Sequence, residues 1–323
     1  MRAPRRRFLR LAAGAAALPA ALHSAWAQPY PARPVHLVVP LPAGSATDVS
    51  ARLLGQALSE RLGQPFVIEN RPGASTNIGT EVVVRAPADG YTLLATSTIN
   101  VTNTSLYPNL TFNFIRDIAP VALIGDIAFV LAINPSVPAK MISELVAYAR
   151  ANPGKITMAS AGTGSANHVF GALFEMMTAV SFVHVPYRSS YIPDLLSGQV
   201  DLVFTTIAQV IEHIRGGRLR ALAVTSATRA QTLPDVPTVG ESVPGYDASG
   251  WLGMGAPAGT PSGIIATLNR LLGAIIAEPN VKKRLVGAGI DPRAMTPAEL
   301  GKFTVEQTEK WAKVIDAAKI KVE

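Results

Sequence analysis

Residues 35–48 have the sequence VHLVVPLPAGSATD, in which an apolar run leads through a turn to the start of a helix. The valine-rich run at residues 35–40 is typical of a strand buried on both faces. After the turn Leu41-Pro42-Ala43-Gly44, apolar residues recur at helical spacing over residues 49–62, and Gly63 is a helix stop. A strand, a glycine turn and a helix in this order predict the first part of a β-α-β unit.

The same alternation continues along the chain. We predict further strands at residues 66–69, 91–95, 127–133, 156–160, 182–185, 200–204 and 219–225, and helices at residues 143–151, 169–177 and from residue 261 onward. Such alternation favours mostly parallel sheets with helices on both faces. We therefore expect an α/β chain with two lobes around a cleft. Because the C-terminal helices follow a second return of the chain, we assign residues 28–124 and 246–323 to domain one and residues 125–245 to domain two.

The N-terminal segment has the composition of an export signal. Residues 1–27 contain five arginines and no acid, then an apolar run, then Ala25-Trp26-Ala27. This pattern is typical of a secretory signal peptide removed after Ala27, and Arg5-Arg6-Arg7-Phe8-Leu9 also fits a twin-arginine signal. Without the five arginines, 24 basic residues face 22 acidic ones, so the net charge falls from +7 to +2. The basic excess therefore does not indicate nucleic-acid binding, and we expect a periplasmic protein.

Composition excludes several classes of protein. The chain has no cysteine, which excludes a disulfide scaffold, a thiolate nucleophile and a cysteine zinc site. The five histidines show no metal-ligand spacing, and we expect no metal and no cofactor. The glycine loops match neither the dinucleotide-binding pattern nor the P-loop. No apolar stretch after the signal is long enough to span a membrane.

Two loops are the candidate site because each joins a predicted strand to a predicted helix and contains glycine. The first is Pro42-Ala43-Gly44-Ser45-Ala46-Thr47-Asp48, in which Ser45 is the expected N-cap and Asp48 is expected to fold back on the Ser45 amide. The second runs from Ser160 through Gly162 and Gly164 to His168, with Thr163 or Ser165 as the cap. Unpaired N–H groups at a helix N-terminus attract anions. The alternative is that both loops only cap their helices.

Other candidate residues have a structural alternative. Ser165 and His168 are close enough in sequence for a hydrolase pair, but the G-x-S-x-G pattern is missing, so we expect no enzyme. His184 alternates with two valines and is expected to be a structural histidine. Trp251 and Tyr187 are expected to pack in the core, although either one in a cleft would stack on a ligand.

Many ordered motifs give the chain a family resemblance. The chain resembles the Bug family, the periplasmic solute-binding proteins of tripartite tricarboxylate transporters. The motifs extend over the whole mature chain and include ENRPGA at residues 69–74, ADGYTL at residues 88–93, SAGTGS at residues 160–165, HVPY at residues 184–187, GQVDL at residues 198–202, LPDVPT at residues 233–238 and APAGTP at residues 256–261.

The resemblance implies a type II periplasmic-binding-protein fold of two doubly wound lobes that closes on a small carboxylate. The two candidate loops would hold carboxylate groups from opposite lobes, and the loaded protein, expected as a monomer, would deliver its ligand to membrane permease subunits. The expected ligand-binding residues are Ala43, Gly44, Ser45, Thr98, Ser160, Ala161, Gly162, Thr163, Ser165, Asn167, His168, Tyr187 and Thr205.

Departures from the family pattern fall where the shape of the pocket is set. The usual double glycines are replaced by Gly44-Ser45 and by Ser75-Thr76, and Thr205 occupies a position that is often acidic. The segment that follows Tyr187 is about two residues short. The sequence therefore does not decide whether the ligand is a dicarboxylate, a citrate-like acid or an aromatic acid. The alternative function is a periplasmic sensor that presents a carboxylate to a membrane kinase.

Overall fold

The structure, a computed structural model, describes residues 30–322, so the predicted signal peptide lies outside the described residues. The strands are β1 (Val35–Val39), β2 (Phe66–Asn70), β3 (Thr92–Ser97), β4 (Ile118–Ile127), β5 (Phe129–Ile133), β6 (Thr157–Ser160), β7 (Val183–Pro186), β8 (Leu202–Thr206), β9 (Arg220–Val224), β10 (Gly250–Pro257) and β11 (Ile290–Pro292). The helices are α1 (Ala46–Leu62), α2 (Asn77–Val84), α3 (Thr98–Leu106), α4 (Phe114–Asp117), α5 (Ile142–Ala151), α6 (Ala166–Thr178), α7 (Ile192–Ser197), α8 (Ile207–Arg215), α9 (Ser262–Ala277), α10 (Pro279–Gly287) and α11 (Pro297–Ala317).

The larger sheet has the strand order β11-β4-β10-β3-β1-β2. Strands β2, β1 and β3 pair in parallel, whereas β10 is antiparallel to both β3 and β4. Successive residues of β1 enter different cores, with Leu37 packed among side chains of α1 and α9 and Val38 packed towards α2 and α3. Helices on both faces explain why the whole of β1 is apolar.

The smaller sheet has the order β7-β6-β8-β5-β9. Strands β6, β7 and β8 run in parallel, and β5 is antiparallel to both of its neighbours. Phe170 of α6 covers one face of this sheet and stacks on Trp311 of α11, with ring centroids 5.1 Å apart. Since α11 also packs on β4 and α3, one hydrophobic core extends from the larger sheet to the smaller one.

Within residues 30–322, the chain crosses between the sheets twice. The first crossing is the single residue Ala128, and the second is residues 225–249. The predicted boundary between residues 124 and 125 falls inside β4, which stays in the larger sheet up to Ile127, whereas the boundary between residues 245 and 246 falls within the second crossing. The assignment of these segments to two domains stays a prediction.

One predicted strand was wrong, and several elements were not predicted, namely β4, β10 and β11 and the helices α2, α3, α4, α7 and α8. The single strand predicted at residues 127–133 is divided, because Ala128 lies between β4 in one sheet and β5 in the other. Strand β10 was not predicted, since its sequence GWLGMGAP has three glycines and the low β-propensity that glycine brings. The strand forms nonetheless, because it pairs with β3 on one side and with β4 on the other.

Candidate functional site

The first predicted loop connects β1 to α1 with a well-defined cap. The Ser45 side chain is the N-cap of α1 and accepts from the Asp48 N–H at 3.2 Å. The predicted return bond from Asp48 to the Ser45 amide is wrong, because Asp48 Oδ2 instead accepts from the Gly44 N–H at 2.9 Å. A positive φ of 83° at Gly44 turns its N–H towards this carboxylate.

The Asp48 carboxylate is buried, and hydrogen bonds stabilise its negative charge. Arg52 Nε donates to Asp48 Oδ2 at 3.0 Å, and Asn70 Nδ2 donates to Asp48 Oδ1 at 2.9 Å. Burial by itself raises the pKa of Asp48, but the hydrogen bonds from Arg52, Gly44 and Asn70 outweigh it and lower the pKa below its ordinary value. The group that shapes the first loop is therefore an anion.

The second predicted loop connects β6 to α6 in the same way. Ser165, rather than Thr163, is the N-cap and accepts from the His168 N–H at 3.5 Å. Gly164 has a φ of 78°, and its N–H donates to His168 Nδ1 at 3.1 Å. Ser165 and His168 thus meet through the cap and not as the side-chain pair that a hydrolase would need.

Both loops leave backbone donors available. Within residues 30–322, the N–H groups of Ala43, Ala161 and Thr163 have no hydrogen-bond partner. The first two N–H groups of each helix are also free of intrahelical bonds, as at every helix N-terminus. Since β1 and β3 are parallel, as are β6, β7 and β8, each loop lies at the carboxyl edge of its sheet. Ligands of open α/β sheets bind at such edges.

A pair of stacked histidines lies beneath the second loop. The rings of His168 and His184 are 3.6 Å apart and within 9° of parallel. Burial, followed by the neighbouring His184, lowers the pKa of His168 to about 4, and burial also lowers the pKa of His184. His184 Nε2 is 2.6 Å from the Oγ of Ser160, which is fully buried. These contacts agree with the structural interpretation of His184.

A polar network, buried except at Gln209, supports the same loop, and two of its members, Tyr191 and Gln209, were missed from the sequence. Tyr191 Oη bonds Thr205 Oγ1 at 2.7 Å, donates to Gln209 Oε1 at 2.6 Å and accepts from Asn167 Nδ2 at 3.3 Å. Asn167 Nδ2 also donates to the carbonyl of Phe204 at 2.7 Å. Thr205 and Asn167 are therefore buried beside the loop, in a network without a charged side chain.

Tyr187 lies beside this network, next to the end of β7. Its hydroxyl donates to Asp194 Oδ2 at 2.7 Å, and its ring contacts Tyr191 edge-on. The ring is half-buried, so one part of it stays accessible at the carboxyl edge of the smaller sheet.

Thr98 lies at the start of α3, at the carboxyl end of β3. Its Oγ1 accepts from the Trp251 N–H at 2.9 Å, and Thr98 is buried. Trp251 is 1% exposed and packs edge-on against Phe303, so it is a core residue as expected. The other end of α3 meets the second loop, because a Cβ at Gly164 would lie 2.7 Å from Leu106 Cδ1.

The Ser75-Thr76 departure keeps the backbone that glycine would favour. Ala74, Ser75 and Thr76 have φ angles of 44°, 49° and 78°. Asn103 Nδ2 donates to the Ser75 carbonyl and to Asn77 Oδ1, and the Tyr107 hydroxyl donates to Ser75 Oγ. These bonds hold the segment in a conformation that L-residues rarely adopt.

A cavity of about 380 Å³ lies at the two crossings rather than at the loops. Arg293 pairs with Asp126 on one side, and Lys310 contacts Asp247 on the other. The cavity contains none of the predicted site residues. Among residues 30–322, no helix is long and apolar enough to cross a membrane, and no group of three or more acidic or histidine side chains is placed to hold a metal ion.

Comparisons with known proteins show the family of the chain. Residues 50–320 match a family described as "Tripartite tricarboxylate transporter family receptor". Protein BugT of Bordetella pertussis is 37% identical over 294 residues, which cover 90% of each chain. An R. palustris protein solved with adipate has a TM-score of 0.80 and 34% identity over 91% of this chain and 100% of its own. MatC from Rhodopseudomonas palustris, solved with bound malate, has a TM-score of 0.74 and 30% identity over 88% of this chain and 100% of its own.

Proposed function

Because the chain belongs to the tripartite tricarboxylate transporter receptor family, we propose that it captures a small carboxylate in the periplasm and delivers it to membrane permease subunits. The observation that carries the proposal is the pair of Gly-Ser loops, each of which presents free backbone N–H groups at a helix N-terminus. Relatives solved with adipate and with malate support a dicarboxylate as the first ligand to test.

Backbone donors are sufficient for useful affinity. Neither loop contains arginine or lysine, so the anion would be held by N–H groups, hydroxyls and the partial positive charge of the helix ends. Each charge-assisted hydrogen bond contributes about 1.5–3 kcal/mol. Several of them, less the loss of ligand freedom, reach the roughly −8 kcal/mol that corresponds to a micromolar dissociation constant.

The predicted site residues divide by exposure into two groups. We propose that Ala43, Gly44, Ser45, Ala161, Gly162, Thr163 and Ser165 contact the ligand, with Tyr187 at the edge of the site. The remaining residues, Thr98, Ser160, Asn167, His168 and Thr205, would act mainly by holding these loops, since each is buried or bonded inward.

A catalytic function has little support. Ser160 and His184 are within hydrogen-bond distance, but the serine is fully buried and has no access to a substrate. We therefore propose a receptor without a reaction step. We further propose that the protein is a monomer, is exported by residues 1–27 and is processed after Ala27. The family description favours transport over the sensor alternative. A permease gene next to this gene would support transport, and a kinase gene would support sensing.

A thermal-shift screen of residues 28–323 tests the proposal. Adipate, malate, citrate and benzoate form the panel, and dimethyl adipate is the uncharged control. A ligand that binds only the folded state raises the melting temperature, by an amount that grows with its concentration. We expect at least one acid to raise it and the diester to leave it unchanged. If no carboxylate raises it, or if the diester does so equally, the proposed function is wrong.

A further inference from the structure

The two Gly-Ser loops share one geometry but are stiffened by different means. In the first loop, Pro40 and Pro42 precede Gly44, and proline rings fix the backbone φ. At the corresponding positions of the second loop the residues are Ser160 and Gly162. Gly162 has a φ of 116°, in a region open to glycine alone, so the chain itself does little to fix this loop.

Hydrogen bonds replace the prolines in the second loop. Ser160 Oγ accepts from the Gly162 N–H at 3.1 Å and lies 3.1 Å from the Gly162 carbonyl oxygen. A hydroxyl has one hydrogen and two lone pairs, so its rotation decides which of these bonds form. His184 Nε2 lies 2.6 Å from the same oxygen and holds the Ser160 side chain where Oγ reaches the Gly162 N–H. The hydroxyl hydrogen goes to Nε2 when Nε2 is unprotonated and to the Gly162 carbonyl when Nε2 carries the proton.

His168 holds the other glycine of the loop, Gly164. His168 Nδ1 accepts from the Gly164 N–H, and the His168 ring is held flat against His184. The two stacked rings and Ser160, which we call the imidazole brace, therefore bind the N–H groups of both loop glycines. The N–H groups of Ala161 and Thr163 stay unpaired and are the donors that the loop offers to a ligand.

We propose that His184 is a positioning residue for carboxylate binding, which acts through Ser160 and His168 without touching the ligand. This inference rests on the proposed function, because a positioned loop matters only if the loop binds an anion. A donor that is preorganised needs no ordering when the ligand arrives, so loss of the brace weakens binding even where the fold is intact.

Amide hydrogen exchange and titration calorimetry on His184→Leu and Ser160→Ala test the brace. We expect the Gly162 amide to exchange about five- to tenfold faster in both variants, the change that loss of one hydrogen bond gives. The Gly44 amide and the melting temperature should change little. Affinity for adipate or malate, whichever binds the unsubstituted chain more tightly, should fall by a similar factor.

Two further variants serve as controls. His184→Gln keeps a hydrogen-bonding atom near the position of Nε2 and should restore slow Gly162 exchange and affinity. His213→Leu removes a histidine that contacts Arg218, away from the loop, and should change neither quantity. If His184→Leu does not fold, His184→Phe takes its place, because it keeps a ring against His168 and has no atom that bonds Ser160.

The outcomes separate this inference from the proposed function. Unchanged Gly162 exchange in both variants, or unchanged carboxylate affinity despite faster exchange, overturns the positioning role of His184. If the unsubstituted chain binds no carboxylate of the panel, the proposed function fails and the positioning role fails with it. The exchange rates then still decide whether the brace holds the loop.

Discussion

Asp48 and His168 occupy the same position in two different loops. Each lies three residues after the serine that caps its helix, and each accepts a hydrogen bond from the glycine that precedes that serine. The distances are 2.9 Å from Gly44 N to Asp48 Oδ2 and 3.1 Å from Gly164 N to His168 Nδ1. The two residues differ in charge, since the carboxylate is an anion and the half-buried imidazole is neutral at pH 7.

The neutral imidazole predicts a loss of stability in acid. Burial and His184 lower the pKa of His168 from 6.5 to about 4, so the unfolded chain binds this proton more readily than the folded chain. The contribution of His168 to the free energy of unfolding is then fully present above pH 6.5 and is lost as the pH drops from 6.5 towards 4. Urea unfolding at several pH values should show this slope, and His168→Asn, which keeps an acceptor for Gly164, should reduce it. An equal slope in the variant would mean that His168 does not titrate as described.

Gly164→Ala should destabilise the protein through the contact with α3. An alanine at a positive φ costs about 1–2 kcal/mol by itself. At Gly164 the new methyl group would also lie 2.7 Å from Leu106 Cδ1, and overpacking adds about 1–3 kcal/mol. Gly154→Ala is the matched control, because Gly154 has a φ of 68° and no atom within 4 Å of the added Cβ. Chemical denaturation of both variants measures the difference, and Leu106→Ala should remove much of it. Equal losses at the two positions would show that the loop does not pack on α3.

Ser165→Ala should lower both stability and affinity. The Ser165 oxygen caps α6, and loss of such a cap costs about 1 kcal/mol of folding free energy. The hydroxyl hydrogen is free to donate to a carboxylate, a bond of about 1.5–3 kcal/mol. Ser165→Thr keeps both functions and is the control. Calorimetric affinity that stays unchanged in Ser165→Ala, with stability reduced, would assign this side chain to capping alone.

Ligand binding should bring the two lobes together. The proposed contacts come from loops on different sheets, and a ligand favours the arrangement in which both loops reach it. Ala128 and residues 225–249 are the two crossings, and a few residues at the ends of the flanking strands can absorb a hinge rotation. Small-angle scattering at saturating ligand should give a smaller radius of gyration than the free protein. An unchanged radius would favour a receptor that is closed before binding and has a side entrance.

Local signals explain what the sequence could predict. The apolar residues of β1, the Gly-Ser turn and the spacing of α1 all act within 30 residues. Ser45 and Gly63 were identified as caps from neighbouring residues, whereas for the second loop the sequence left Thr163 and Ser165 as alternatives. The Asp48 bond was assigned to the wrong amide, because the choice between the Gly44 and Ser45 N–H groups depends on the left-handed turn at Gly44.

Long-range contacts explain what the sequence could not predict. The sequence of β10 has a weak intrinsic preference for β-structure, and the strand forms because β3 and β4 enclose it. The bond between Tyr191 and Thr205 joins residues 14 positions apart, and the Ser160–His184 bond joins residues 24 apart. Nothing in the local pattern shows that these side chains meet, so the network beneath the second loop emerges only from the fold.

The central claim is that both Gly-Ser loops hold one carboxylate ligand through their backbone N–H groups. The most direct test is an amide NMR titration of the ¹⁵N-labelled chain with adipate and with malate. The account predicts that the amide signals of Ala43, Ala161 and Thr163 shift together and give one dissociation constant for a given acid. Shifts confined to one loop, or to the cavity at the crossings, with the other loop unchanged at saturation, would contradict it.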